Sequence, residues 1–258
     1  MLKIATDERQ AWILELVREK GFASIEHIAT HFDVTQQTIR RVVNQLCEQG
    51  LLRRIHGGVG LPVPNQNLAY ESRQVLNLDA KQRIARAAAS FIPDGTSLMI
   101  GLGTTPECVA LALAQRPNLH VITNSLSVAT AFARNPDVDI TFAGGTLRPR
   151  DRDIIGDAAV AFFSKFKADF GIFGVGGIDA DGTMLDFYAG EVEARQAIAA
   201  NCRTALLVAD HSKFGRGATV RGGHLGELPH LFTDAPIPAN FRAMIEGLSG
   251  KVHIASAS

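Results

Sequence analysis

The sequence of 258 residues lacks any apolar run near the roughly 18 residues that a membrane-spanning helix needs. Charge arrives early, at Asp7, Glu8 and Arg9, so the apolar core of a secretory signal is missing as well. A cytoplasmic protein with no membrane contact is expected. Cysteine is scarce: Cys47, Cys108 and Cys202 are odd in number and far apart, which fits reduced thiols better than a disulfide framework or a zinc site. The eight histidines are scattered without ligand spacing, so no metal is expected. Net charge is absent too, with 26 basic and 26 acidic side chains, and the chain as a whole has no electrostatic reason to bind a polyanion. Internal repeats and low-complexity segments are lacking. What remains is an ordinary globular composition, 46% hydrophobic and 20% charged, over a length that suits one to two domains at roughly 150 residues each.

Charge is absent overall but not locally. Within residues 40–54, Arg40, Arg41, Arg53 and Arg54 face a single acid, Glu48. Such a cluster is often a mere solvated face, and the surrounding periodicity decides its meaning. Ile13, Leu16 and Val17 recur at helical spacing up to Gly21; Ser24 is placed to cap a second helix with Ile25, Ile28, Ala29 and Phe32 inward. After the turn Asp33-Val34, Thr35 is placed as N-cap of a third helix whose core face is Ile39, Val43 and Leu46 and whose stop is Gly50. The opposite face offers Gln36, Gln37, Arg40, Arg41, Asn44 and Gln45, amides and guanidiniums able to bond base edges and phosphates. Leu51 to Ile55 and Val59 flank His56-Gly57-Gly58, a tight hairpin. Three plain packed helices are the bland alternative. Because the basic and amide groups occupy the one face that packing leaves free, residues 1–60 are predicted to be a winged helix-turn-helix that binds double-stranded DNA through Thr35, Gln36, Gln37, Thr38, Arg40, Arg41, Asn44, Arg53, Arg54 and His56.

Residues 61–77, opening with Pro62, Pro64 and two asparagines, read as a linker. From 78 to 258, β-branched runs alternate with alanine-rich helices: residues 97–100, 119–123, 138–142, 170–175, 205–209 and 231–233 are predicted strands of a largely parallel sheet in an α/β domain. Ligands of such sheets bind beyond the carboxyl ends of the strands. There the sequence places Gly101 to Glu107, in which Thr105 can cap and Pro106 can open a helix, leaving the amides of Gly103, Thr104 and Thr105 toward an anion. A plain capped turn is the competing reading. The loop is neither GxGxxG nor GK[ST], which disfavours a dinucleotide or a nucleoside triphosphate. Asn124, Gly145, Asp179, Asp210 and Lys213 follow the other strands, a rim suited to a phosphate and to hydroxyls. Glu191 joins them as a candidate, although with Arg195 four residues on it can equally form a surface ion pair.

Thr38-Ile39-Arg40-Arg41 with Arg54-Ile55-His56-Gly57-Gly58 resembles the signature of DeoR-type bacterial transcriptional repressors. Gly103 to Glu107, Thr123-Asn124, Ala143-Gly144-Gly145, Gly177-Ile178-Asp179 and Asp210 to Arg216 are similar, in order and spacing, to that family's effector domain, so the resemblance spans nearly the whole chain. With Asp169-Phe170-Gly171-Ile172, these segments look most like members that govern glycerol metabolism. The resemblance implies an α/β effector domain like ribose-5-phosphate isomerase, a homo-oligomer (dimer or tetramer), no catalytic residues, no cofactor, and release from operator DNA by a sugar or polyol phosphate such as glycerol 3-phosphate. Two positions depart from the family: Val42 stands where an aspartate usually follows the paired arginines, and Gly101 where an acid is common. The alternative from another class is a sugar-phosphate isomerase carrying a DNA-binding head, with Asp179, Glu191 or Lys213 moving protons; against it, no paired carboxylates stand at a spacing that defines an acid and a base. A phosphate-binding module that regulates a partner protein is the third reading.

Overall fold

The structure, a computed structural model, describes residues 2–48, 51–61, 67–247 and 249–255. The expected helix stop at Gly50 and the linker prolines Pro62 and Pro64 lie outside the described residues. The chain divides into two compact units, Met1–Leu76 and Asn77–Ser258.

The first unit runs α1 (Leu2–Lys20), β1 (Phe22–Ser24), α2 (Ile25–His31), α3 (Gln36–Glu48), β2 (Arg53–Ile55), β3 (Gly58–Gly60) and α4 (Tyr70–Val75). Ser24 caps α2, its hydroxyl accepting from the His27 amide at 3.1 Å. Thr35 does the same for the start of α3, accepting from the Thr38 amide at 3.3 Å. α3 buries Ile39, Val42, Val43 and Leu46, a stripe at intervals of three and four that packs on Ile13, Val17 and Ile28. Val42 therefore belongs to the core and not to the polar surface of the helix. The expected hairpin is present, but it gains a third strand: β3 pairs antiparallel with both β2 and β1. Gly58 makes this possible, since a Cβ there would lie 2.2 Å from the Ala23 carbonyl oxygen. The segment expected as a linker also changes character at its end, where Tyr70–Val75 is helical and Tyr70 and Ser72 are buried. Burial of an aromatic ring supplies a driving force that the asparagines and prolines before it do not have.

The second unit is built on a seven-stranded sheet in the order β13-β12-β10-β7-β4-β5-β6, parallel throughout. Its strands are β4 (Ser97–Ile100), β5 (His120–Thr123), β6 (Asp139–Phe142), β7 (Ala168–Phe173), β10 (Cys202–Val208), β12 (His230–Thr233) and β13 (Lys251–Ile254). One buried cluster gathers residues of α5 (Leu78–Phe91), α6 (Thr104–Leu113) and α7 (Leu126–Phe132); another gathers α8 (Asp157–Phe163), α9 (Ala189–Ala200) and α10 (Ala239–Glu246). A small antiparallel sheet, β11 (Val220–His224), β9 (Thr183–Asp186) and β8 (Gly177–Ile178), was not legible as strands. The chain builds outward from β4 to β6 and then returns to lay β7 on the other side of β4. Strand order thus reverses between β4 and β7, and a crevice opens beyond their carboxyl ends.

Candidate functional site

On the first unit, Thr35, Gln36, Gln37, Thr38, Arg40 and Arg41 are exposed at the start of α3, and Arg53, Arg54 and His56 are exposed on the hairpin. A groove of about 440 Å³ separates them, lined on the α3 side by Gln36, Arg40 and Asn44 and on the hairpin side by Arg54, Ile55 and Gly57. Gln36, Arg40 and Asn44 are spaced by four and so form one stripe toward the groove, while Gln37 and Arg41 form the next stripe outward. Asn44 was expected to face solvent; it is half-buried, and its Oδ1 accepts a hydrogen bond from Nη2 of Arg54. Arg53 donates from Nε to the Leu61 carbonyl at 3.0 Å. The hairpin itself is tied to the helical body, since Gly57 (φ +77°) offers its carbonyl to the Ile25 amide at 3.1 Å.

On the second unit, the loop after β4 differs from the expected capping. Gly103, at φ +119°, is the N-cap of α6, Thr104 is its first residue and Pro106 its third; Thr105 lies inside the helix and caps nothing. Pro106 needs no partner for a donor it lacks, and the N-cap Gly103 has no side chain with which to cap the first turn, which suits the amides of Gly103, Thr104 and Thr105 to an anion. Thr104 and Thr105 are themselves buried.

After β10, burial disfavours the charge of Asp210, yet Lys213, the Ser212 hydroxyl, Lys81 and Asn77 outweigh it and hold the carboxyl below its usual value. Asn77 donates from Nδ2 to Asp210 Oδ1 at 3.0 Å and to the Ser212 hydroxyl at 3.2 Å. Lys213 is half-buried. Lys81 on α5 is only 4% exposed, and its charge acts on both Cys108 of α6 and Asp210. Sequence reasoning missed it. A signal was available: Lys81 extends the apolar stripe of Ile84, Ala85 and Ala88 backward by three and four residues, an unusual position for a cation.

Beyond β7, further charges are buried. Arg195 forks onto Asp186 Oδ2, at 3.1 Å from Nε and 3.0 Å from Nη2, and donates to the Gly222 carbonyl at 2.7 Å. Arg148 spans Asp153 at 2.7 and 2.9 Å and Glu191 at 3.0 Å, with its guanidinium over the Tyr188 ring. Glu191 and Arg195 are thus buried, each with a different partner, and do not form the surface ion pair that their spacing allows. Burial raises the pKa of both Asp186 and Glu191, against the pull of Arg195 on the first and of Arg148 on the second. The Arg148 guanidinium loses solvation but gains more from Asp153 and Glu191, so its pKa rises.

Gly101, Asn124, Asp186, Glu191 and Arg195 line a cavity of about 10 Å³, room for roughly one water molecule. Asn124 donates from Nδ2 to the Ile154 carbonyl at 2.7 Å, while its fully buried Oδ1 has no hydrogen-bond partner. At Gly101 a Cβ would stand 3.0 Å from Ile198 Cδ1, so an acid in this place requires that side chain to yield. Gly145 is exposed at φ +142° on the loop after β6. Asp179, expected on the rim, is instead exposed in the turn between β8 and β9, accepting from the Ala180 amide at 2.8 Å. The hairpin carries it to the end opposite Asp186, which occupies the rim in its stead and accepts from the Gly176 amide at 2.7 Å. Among the described residues no group of histidine, cysteine, aspartate and glutamate is arranged to hold a metal, and no helix is long and apolar enough to cross a membrane.

Residues 9–64 match the family model described as a DeoR-like helix-turn-helix domain, and residues 76–235 that of a DeoR C terminal sensor domain. The chain belongs to the DeoR family. This DeoR-family chain is 46% identical over 233 residues to the glycerol-3-phosphate regulon repressor of Escherichia coli strain K12, covering 90% of this chain and 92% of that one. It is likewise 46% identical over 229 residues to the glycerol-3-phosphate regulon repressor of Haemophilus influenzae, over 88% and 89% of the two chains. The HTH-type transcriptional repressor CsqR of E. coli is 38% identical over 95% of this chain and 94% of its own. Among solved structures, ribose 5-phosphate isomerase A from Methanocaldococcus jannaschii is similar at a TM-score of 0.40 and 15% identity, over 54% of this chain and 55% of that one. These curated relatives are repressors, and the chain is a DNA-binding regulator of their family rather than an enzyme.

Proposed function

We propose that this DeoR-type repressor leaves its operator when its C-terminal unit takes up a small phosphorylated polyol or sugar, glycerol 3-phosphate being the first to test. The observation that carries the reading is the buried side chain of Lys81, whose charge acts on both Cys108 of α6 and Asp210, together with the start of α6, whose N-cap Gly103 makes no side-chain capping bond. A buried cation and converging N–H donors suit one phosphate. Lys213 adds a second cation. Asn124, with its unpartnered Oδ1, and Glu191 and Asp186, which the crevice brings near it, suit the hydroxyls, with Gly145 leaving the loop backbone open to the ligand. In the N-terminal unit, Gln37 and Arg41 on the outer stripe of α3, with Thr38 beside them, read base edges, and Arg40, Arg53, Arg54 and His56 meet the backbone. A repeated or palindromic operator calls for a symmetric homo-oligomer. The 46% identity to two glycerol-3-phosphate regulon repressors supports this choice of effector.

Calorimetric titration should register glycerol 3-phosphate and not glycerol. Thr104→Ala combined with Lys213→Ala should abolish that heat and leave operator affinity intact. By linkage, an effector that weakens operator binding tenfold must bind the operator complex tenfold more weakly, a coupling of about 1.4 kcal/mol. Equal binding of free glycerol would sink the phosphate site; binding of glycerol 3-phosphate without any change in operator affinity would leave the site and remove the inducer.

A further inference from the structure

Asn44 has the chemistry of a base reader, an amide on the polar side of a recognition helix, yet the structure employs it otherwise. Its Oδ1, the acceptor with which an asparagine would take a base amino group, is already used by Arg54 Nη2. The two residues come from different elements, the third turn of α3 and strand β2, and meet across the groove that Gln36 and Arg40 also line. Arg54 is exposed, and an untethered arginine on a three-residue edge strand samples many rotamers. Held by Asn44, its guanidinium is fixed in the groove that Arg40 also lines and keeps further N–H donors beyond the one given to Asn44, an arrangement suited to a phosphate running along the groove. The hairpin beneath is already immobilised by the Gly57 carbonyl and by β1, so this one bond sets what remains adjustable.

We propose that Asn44 is a positioning residue for operator binding: it does not read a base but orients Arg54 of the hairpin toward the DNA backbone, coupling the hairpin to the recognition helix. The inference rests on the operator-binding reading above.

The test is a double-mutant cycle on the full-length protein, with the tightest duplex that the protein selects from a random-sequence pool as probe and fluorescence anisotropy at several salt concentrations as readout. Arg54→Ala should weaken binding and lower the slope of log K against log salt by about 0.9, the signature of one lost phosphate contact. Asn44→Ala should weaken binding by about three- to tenfold, the range expected for freeing one rotamer-rich side chain, with the slope retained because the Arg54 charge still reaches the phosphate. The double variant should bind no more weakly than Arg54→Ala alone. Asn44→Asp should keep the bond and lower the slope, since the carboxylate offsets the Arg54 charge. If Asn44→Ala costs the same with and without Arg54, or costs nothing, the positioning role is refuted and Asn44 either touches DNA itself or is idle. Circular dichroism melts of each variant separate these outcomes from unfolding. Failure of the parent protein to enrich any duplex is a different result, and overturns the operator-binding reading instead.

Discussion

In the N-terminal unit Arg40, Arg41, Arg53 and Arg54 stand exposed, and the oxygens described beside Arg53 and Arg54 are the neutral Leu61 carbonyl and Asn44 amide. In the C-terminal unit Arg148 and Arg195 are sunk among Asp151, Asp153, Glu191 and Asp186, and Lys81 lies within the influence of Asp210. A long polyanion is best met by positive charge left unbalanced at the surface, where it attracts at a distance. A small ligand with one phosphate and a few hydroxyls needs the opposite, charges fixed and nearly balanced in a dry crevice, so that only the correct partner completes them. One chain with no net charge carries both arrangements, and only the first can be noticed by counting charges along the sequence.

The contrast breaks first at the buried fork. Asp186→Ala strands the Arg195 guanidinium, 6% exposed, and should cost about 3 to 5 kcal/mol of stability in urea unfolding of the C-terminal unit. A loss below about 1 kcal/mol would mean that water reaches Arg195 and that its burial does not matter. Val42→Asp should also destabilise, by about 2 to 3 kcal/mol, because Val42 is 6% exposed in the first unit's core. An unchanged melt would return Val42 to the helix surface. Arg41→Ala should do the reverse, weakening operator binding by about 1 to 3 kcal/mol in gel-shift titration while stability moves by less than about 0.5 kcal/mol. A stability loss comparable to the binding loss would erase the distinction between the two units.

The smallest effect sharpens the comparison inside the C-terminal unit. Asp210 has a folded-state pKa below its ordinary 3.8, so it adds stability that is present above that value and lost as pH falls through the lowered one. Glu191 is raised above its ordinary 4.5, so its contribution has the other sign: the folded state gains as pH falls from the raised value toward 4.5. Asp210→Asn should flatten the acid limb of melting temperature against pH below about 4, and Glu191→Gln should flatten the limb above about 4.5. Identical profiles for the two variants would remove both assignments.

The strands β4, β5, β6, β7, β10 and β12 were legible because each is a β-branched or aromatic run flanked by breakers, and α2 and α3 because Ser24 and Thr35 cap a periodic apolar stripe. The small sheet was not, since β8 has two residues and β11 contains Gly222 and Gly223, leaving neither length nor alternation to read. Its consequence was larger than its size: without β8 and β9 there was no way to see that Asp179 lies at one end of a hairpin and Asp186 at the other. Arg148 and Asp153 were missed for a similar reason, for they sit in a loop rich in charges, Arg148 to Asp153, where only the tertiary course of the chain selects which of them turn inward. The glycine-rich anion loop was visible, but the capping residue was not, because Gly103 fulfils by a positive φ what Thr105 seemed suited to do by its hydroxyl.

Gly58 constrains how this reading head can diversify. With the Ala23 carbonyl oxygen 2.2 Å from where its Cβ would stand and the Phe22 ring at 2.7 Å, no other amino acid fits without prising β3 off β1. Gly57, at φ +77°, is closed to most substitutions for the separate reason of backbone strain. A lineage acquiring a new operator therefore cannot reshape the hairpin tip by point mutation of its glycines. The freedom lies at His56, which is exposed between Ile55 and that fixed pair, and on the outer stripe of α3, so mutational drift in target choice should accumulate at His56, Gln37 and Arg41 while the hairpin backbone stays as it is.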